Sequence, residues 1–207
     1  MSEFDHRALA GAPPPSWRPP VVPVLCERSA KILHPEALEP GDLLLFSDQA
    51  KNPVMSLQAI VGDTKDLRWT HAAIFLGGQA ICEAIPNEGV VVTSVYERLL
   101  KKKQRMRARR SPHHSREERA RIASQALHYL GVSYPGLDGL VRRWLEGSPI
   151  NADLDSSVLC SELYHRIFTL TLRSNLGALF AGTVITPAWL SQCENLEDVS
   201  MSWVTIP

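Results

Sequence analysis

Apolar positions change their period along the chain. From Pro40 they come in short runs, "GDLLLFS", "THAAIFL", "QAICEAI" and "GVVVTSV", punctuated by a Gly-Gly pair and by "PNEG". Runs of this length between turn residues predict antiparallel β-strands. "QRMRARR" alternates Arg105, Arg107 and Arg109 with Met106 and Ala108, the period of a half-exposed strand whose arginines face solvent. "SREERARIASQALHYLG" then switches to helical spacing. Ser115 is the N-cap, Glu118 completes a capping box, Ala120, Ala123, Ala126, Leu127 and Leu130 form the buried stripe, and Gly131 is the stop. A loop with "SYPG" and a short helix around "LDGLVRRWL" lead to a second strong helix in "DSSVLCSELYHRIFTLTL", entered through Asp155, Ser156 and Ser157. A final strand is predicted near "VSMSWVTI". Strands followed by helices predict an α+β fold.

Residues 1–24 are proline-rich, which denies the backbone both helix and sheet ladder and predicts an extended arm. Residues 25–207 are then expected to form a single domain, since 207 residues at 44% hydrophobic content suffice for one substantial core. The 22 basic residues balance the 22 acidic ones, so no global field points to nucleic acid. Locally, Arg98 to Arg110 is strongly basic. Cys26, Cys82, Cys160 and Cys193 show no CxxC pair and no histidine at zinc-ligand spacing, so neither a metal nor another cofactor is expected. The proline-rich start has no apolar run beyond "VVPVL", which predicts synthesis in the cytoplasm without a signal peptide, and nothing approaches the length of a membrane span.

Two residues carry candidate chemistry. Cys160 falls in the first turn of its predicted helix, where unpaired N–H groups and the helix dipole favour a thiolate. His71 opens an otherwise apolar strand. Each has a bland alternative, a packed core thiol and a hydrogen-bonded strand end. Glu83 is harder to dismiss, because a carboxylate inside "QAICEAI" needs a partner to be buried. A three-residue loop at Leu76, Gly77 and Gly78 would pair Phe75 with Gln79 and set His71 directly opposite Glu83, whereas a two-residue loop would put them on opposite faces. A carboxylate on the imidazole is the arrangement that orients a catalytic base. Cys82 reads as core, and His113, His114 and His165 carry no assignment.

"PGDLLLF", "THAAIFLGG", "EAIPNEGVVV", "VLCSEL" and "TPAWL", in that order, resemble the YaeF/YiiX-like permuted papain-like amidases, relatives of the NlpC-type cell-wall peptidases and of lecithin retinol acyltransferase. The resemblance runs from about Leu38 to Leu190. It implies a circularly permuted papain-like fold with the histidine strand ahead of the cysteine helix. It also implies Cys160 as nucleophile, His71 as base and Glu83 as the third polar residue, with the Cys160 N–H in the oxyanion hole. Tyr134 in "VSYPG" matches a family tyrosine that lines the substrate site.

The function expected from this resemblance is a cysteine hydrolase cleaving an amide, with a peptidoglycan peptide as first-choice substrate. Without a signal peptide, such an enzyme would reach a target periplasm as an effector of a contractile secretion system, with an immunity protein as its partner. The alternatives are a lipid acyl hydrolase or acyltransferase, and a non-catalytic binding module using the basic stretch. The absence of interleaved aromatics in that stretch argues against nucleic acid.

Overall fold

The computed structural model describes residues 31–33, 37–47, 53–61, 65–101, 104–136, 139, 141, 157–174, 176, 184–200 and 203–205. The expected arm, residues 1–24, and most of the helix expected around "LDGLVRRWL" lie outside them. The chain divides into two units. In one, strand β1 (Lys31–Leu33) pairs antiparallel with β8 (Trp203–Thr205), the last strand expected from the sequence.

The other unit, His34–Ser202, is built on a six-stranded antiparallel sheet. Its strands are β2 (Leu43–Ser47), β3 (His71–Gly77), β4 (Ala80–Ile85), β5 (Gly89–Ser94), β6 (Arg105–Arg110) and the short β7 (Glu197–Asp198). They lie in the order β5-β4-β3-β2-β6-β7, all neighbours antiparallel. Helix α1 (Pro53–Ile60) leads towards β3, α2 (Arg116–Ala126) follows β6, and α3 (Cys160–Leu172) packs on β3, β4 and α2. The short α4 (Pro187–Gln192) starts at Thr186, whose hydroxyl accepts from the Trp189 N–H at 2.9 Å. The main core lies between sheet and helices. It joins Leu43, Leu45, Ala72, Ile74, Cys82 and Ala84 to Ile122, Ala126, Leu163, Ile167 and Phe168. Strand β2 is buried at all its positions, as befits a central strand covered on both faces.

Three local expectations need correction. The arginine strand is a fully solvated face only at Arg105. Arg109 is buried and donates to the Leu190, Ser191 and Leu196 carbonyls, Arg107 pairs with Asp198 and Asp66, and Arg110 forks onto Asp42. Strand period reports only which side a residue faces, and from Arg107 onward both sides are at least partly covered. Leu127 and Leu130 are exposed, not part of the buried stripe. The α-helix stops at Ala126 and tightens into a 3₁₀ turn at Leu127–Tyr129, so that Tyr129, rather than Leu127 or Leu130, packs against the core. The Ser115–Glu118 capping box is present as expected. Finally, α3 is capped at Leu159, not by the serine cluster. The Glu162 carboxylate accepts from the Leu159 N–H at 3.1 Å, and Cys160 is the first helical residue.

Candidate active site

Two elements converge on the Cys160 sulfur. Cys160 opens α3, His71 opens β3, and the N–H groups of Ala72 and Ser161 both donate to the sulfur. The residues before His71 are anchored by Gln58, a fully buried amide on α1. Its Nε2 donates to the Leu67 and Trp69 carbonyls, each at 3.2 Å, and its Oε1 accepts from Ala188 N–H at 3.0 Å. One side chain thereby ties the approach to β3 to the first turn of α4. Sequence reasoning passed over Gln58; a lone amide in the apolar "PVMSLQAI" was its signal.

The structure brings His71 and Glu83 together, by a register other than the expected one. Phe75 pairs with Ile81 and Gly77 with Ala80, so the hairpin turns through Gly78 and Gln79, with Leu76 as an extra residue in a bulge. The two-residue turn alone would have put His71 and Glu83 on opposite faces. The bulge restores the parity, so they remain on one face as diagonal rather than direct neighbours. The reach of the glutamate closes the gap, and His71 Nε2 lies 2.5 Å from Glu83 Oε2. The same ring is also hydrogen-bonded to the Cys160 sulfur.

Glu83 is only 1% exposed and both its oxygens are doubly engaged. Oε2 takes His71 Nε2 and, at 2.5 Å, Arg98 Nη2; Oε1 takes the Thr93 hydroxyl and, at 3.2 Å, Arg98 Nε. Burial pushes the carboxyl pKa up, but the hydrogen bond and charge of His71, the Arg98 charge and the Thr93 hydroxyl together bring it down to about 2. The sequence signal for Arg98 was masked by its place in a run that reads as solvated charge.

The same balance operates at the other two groups. Burial opposes a Cys160 thiolate, yet the charge and hydrogen bond of His71 and the two backbone N–H groups outweigh it, so the thiol pKa is lowered. At His71, burial lowers the pKa and Cys160 and Glu83 raise it more, with Arg98 opposing; the net shift is upward. Together the directions favour a thiolate–imidazolium pair.

Tyr134, Val54, Thr70, Leu159, Ser161 and Pro187 surround Cys160 in a small cleft of about 10 Å³, room for about one water molecule. Tyr134, the tyrosine of "VSYPG", is one of the residues lining this cleft. Its pKa is raised by burial and by the neighbouring Cys160 and Glu162. Cys82 donates to the Ala126 carbonyl from the core, its pKa pushed up by burial, then by Glu83, to about 12. Among the described residues no group of three histidine, cysteine or acidic side chains could hold a metal ion.

Residues 37–181 match the sequence model of the permuted papain-like amidase enzymes, the YaeF/YiiX, C92 family. The chain belongs to this family. It is therefore a cysteine amidase or peptidase, a hydrolase on a permuted papain-like α+β scaffold. Among solved structures it resembles the crystal structure of the metalloprotein YiiX from Escherichia coli O157:H7. Identity there is 16%, covering 80% of this chain and 98% of that one, with a TM-score of 0.56. No curated protein matches the sequence. Among the described residues no helix is long and apolar enough to cross a membrane.

Proposed function

We propose that this amidase cleaves a peptidoglycan peptide through Cys160, His71 and Glu83, acting as an antibacterial effector in a target periplasm. The observation that carries the catalytic part is the hydrogen-bonded row from the Cys160 sulfur through His71 to Glu83, with the thiol pKa lowered and the imidazole pKa raised. The thiolate attacks the amide carbonyl carbon, and the oxyanion is met by the Cys160 N–H at the open end of α3. The His71 imidazolium gives its proton to the departing amine, leaving a thioester on Cys160. Neutral His71 then takes a proton from water as the water attacks the thioester, which frees the acid and the Cys160 thiolate and restores the thiolate–imidazolium pair. Glu83 keeps the ring oriented throughout, and Tyr134 lines the approach to the sulfur. Kinship with an amidase family supplies the bond class, and cell-wall peptides are amide substrates that lie outside the cytoplasm.

The apolar side chains of Val54, Leu159 and Pro187 around the sulfur favour one second reading, hydrolysis or transfer of a lipid acyl group.

The experiment expresses the protein in a bacterium with and without an added periplasmic signal, beside Cys160→Ala versions of both, and digests purified cell wall in parallel. Lysis only from the periplasm, only with Cys160, and release of new peptide fragments are expected; an immunity protein would suppress the lysis. Toxicity from the cytoplasm would reject the cell-wall target. Absence of both toxicity and cell-wall products would favour the acyl substrate, and toxicity independent of Cys160 would favour a binding role.

A further inference from the structure

We propose that Arg98 is a positioning residue of this site: its guanidinium grips both oxygens of Glu83 and, by sharing that carboxylate's charge, limits how firmly His71 holds its proton. The inference rests on the catalytic role proposed for Cys160 and His71. Arg98 sits in a π-helical turn, Glu97–Lys101, just past β5. Such wide turns recur at functional sites because they re-aim side chains. This one turns a long cation inward, to a position 6% exposed.

The contact has the geometry of a fork. Nε reaches Oε1 at 3.2 Å and Nη2 reaches Oε2 at 2.5 Å, so the carboxylate plane cannot swing away from His71. Oε2 is shared between the arginine and the imidazole. That sharing matters because amide hydrolysis needs His71 in two states, protonated to release the amine and neutral to activate water. A buried carboxylate with no other charged partner would bind the imidazolium too firmly and delay the second state. The other titratable groups around the row do not supply the opposing charge. Cys160 and Glu162 come from α3, Tyr134 from the segment after α2, and Cys82 from the other face of β4; none is cationic at neutral pH, whereas Arg98 also directly disfavours charge on His71.

A role confined to structure would cost stability alone. A positioning role moves the titration of His71, which can be read without knowing the substrate. The test compares the full chain with Arg98→Gln, which keeps a donor for Glu83 but loses the charge, and Arg98→Lys, which keeps the charge but loses the fork. Folding is checked by circular dichroism, His71 titration is followed by NMR of histidine-labelled protein, and Cys160 is alkylated with iodoacetamide at about pH 6. Loss of the charge is expected to raise the pH at which His71 gives up its proton by about one unit. Lysine is expected to return it to near the unsubstituted value. A fully folded Arg98→Gln protein with unmoved His71 titration would overturn the proposal. If that variant does not fold, Arg98→Lys decides alone, and an upward shift of about one unit there would overturn it. Failure of the underlying catalytic role looks different: Cys160 of the unsubstituted protein would then alkylate as slowly as Cys82 and Cys193, whatever stands at position 98.

Discussion

Glu83 is a charge that folding buries almost completely, and its cost is offset by His71, Thr93 and Arg98 distributed over two oxygens. Glu83→Gln keeps an acceptor for these donors, so the fold should persist while the imidazolium loses its anionic partner. Hydrolysis is expected to fall by about 10²–10⁴-fold, as when an orienting carboxylate is made neutral elsewhere. Glu83→Ala instead strands the buried guanidinium, and chemical denaturation should show a loss of about 3–5 kcal/mol. At this scale the sequence was legible wherever chemistry forces a partnership. A carboxylate in an apolar strand demands a cation or an imidazole, and "THAAIFL" offered one. Arg98 and Thr93 were not legible, because each is unremarkable beside its neighbours and meets Glu83 only once β5 and the turn after it have folded back beside β4.

Among the elements, the β3–β4 hairpin carries the most consequence. Its bulge at Leu76 keeps His71 and Glu83 on one face despite the two-residue turn, so the face was readable from alternation while the register was not. Bulges add a residue without a sequence signature beyond glycine, and Gly77 and Gly78 were equally consistent with a longer loop. Gly89 constrains the neighbouring strand. It opens β5 at φ +78°, and a Cβ there would lie 2.4 Å from the Val132 carbonyl oxygen, which accepts from Val90 N–H at 2.8 Å. Gly89→Ala therefore combines a left-handed backbone penalty with a collision against a backbone atom. A loss of about 2–4 kcal/mol is expected in denaturant titration. Tyr134 lies two residues beyond Val132, so slower alkylation of Cys160 should accompany the loss. The start of α3 shows the opposite limit of sequence patterning. The serine cluster looked like a cap, yet the helix begins at Cys160 because Glu162 caps from within, and the thiol reaches the helix N-terminus by that other route.

At the scale of the whole molecule, the sequence pattern announced every strand but the short β1 and β7, and it did not announce their order. Four strands follow one another across the sheet, and β6 then returns to the far side of β2, a long-range pairing that no local pattern announces. That placement gives the arginine strand a backbone partner along its length and covers Arg109 with the carbonyls at the end of α4. It also inverts what a digest of the folded protein should yield. Trypsin cleaves after arginine only where it can draw several residues into an extended, unpaired form, and exposure of a paired central strand requires broad unfolding. The bonds after Arg107, Arg109 and Arg110, though part of one of the richest clusters of target residues in the chain, should survive limited proteolysis that cuts elsewhere. Mass spectrometry of a timed digest should recover Arg105–Arg110 inside an intact fragment for as long as the sheet persists.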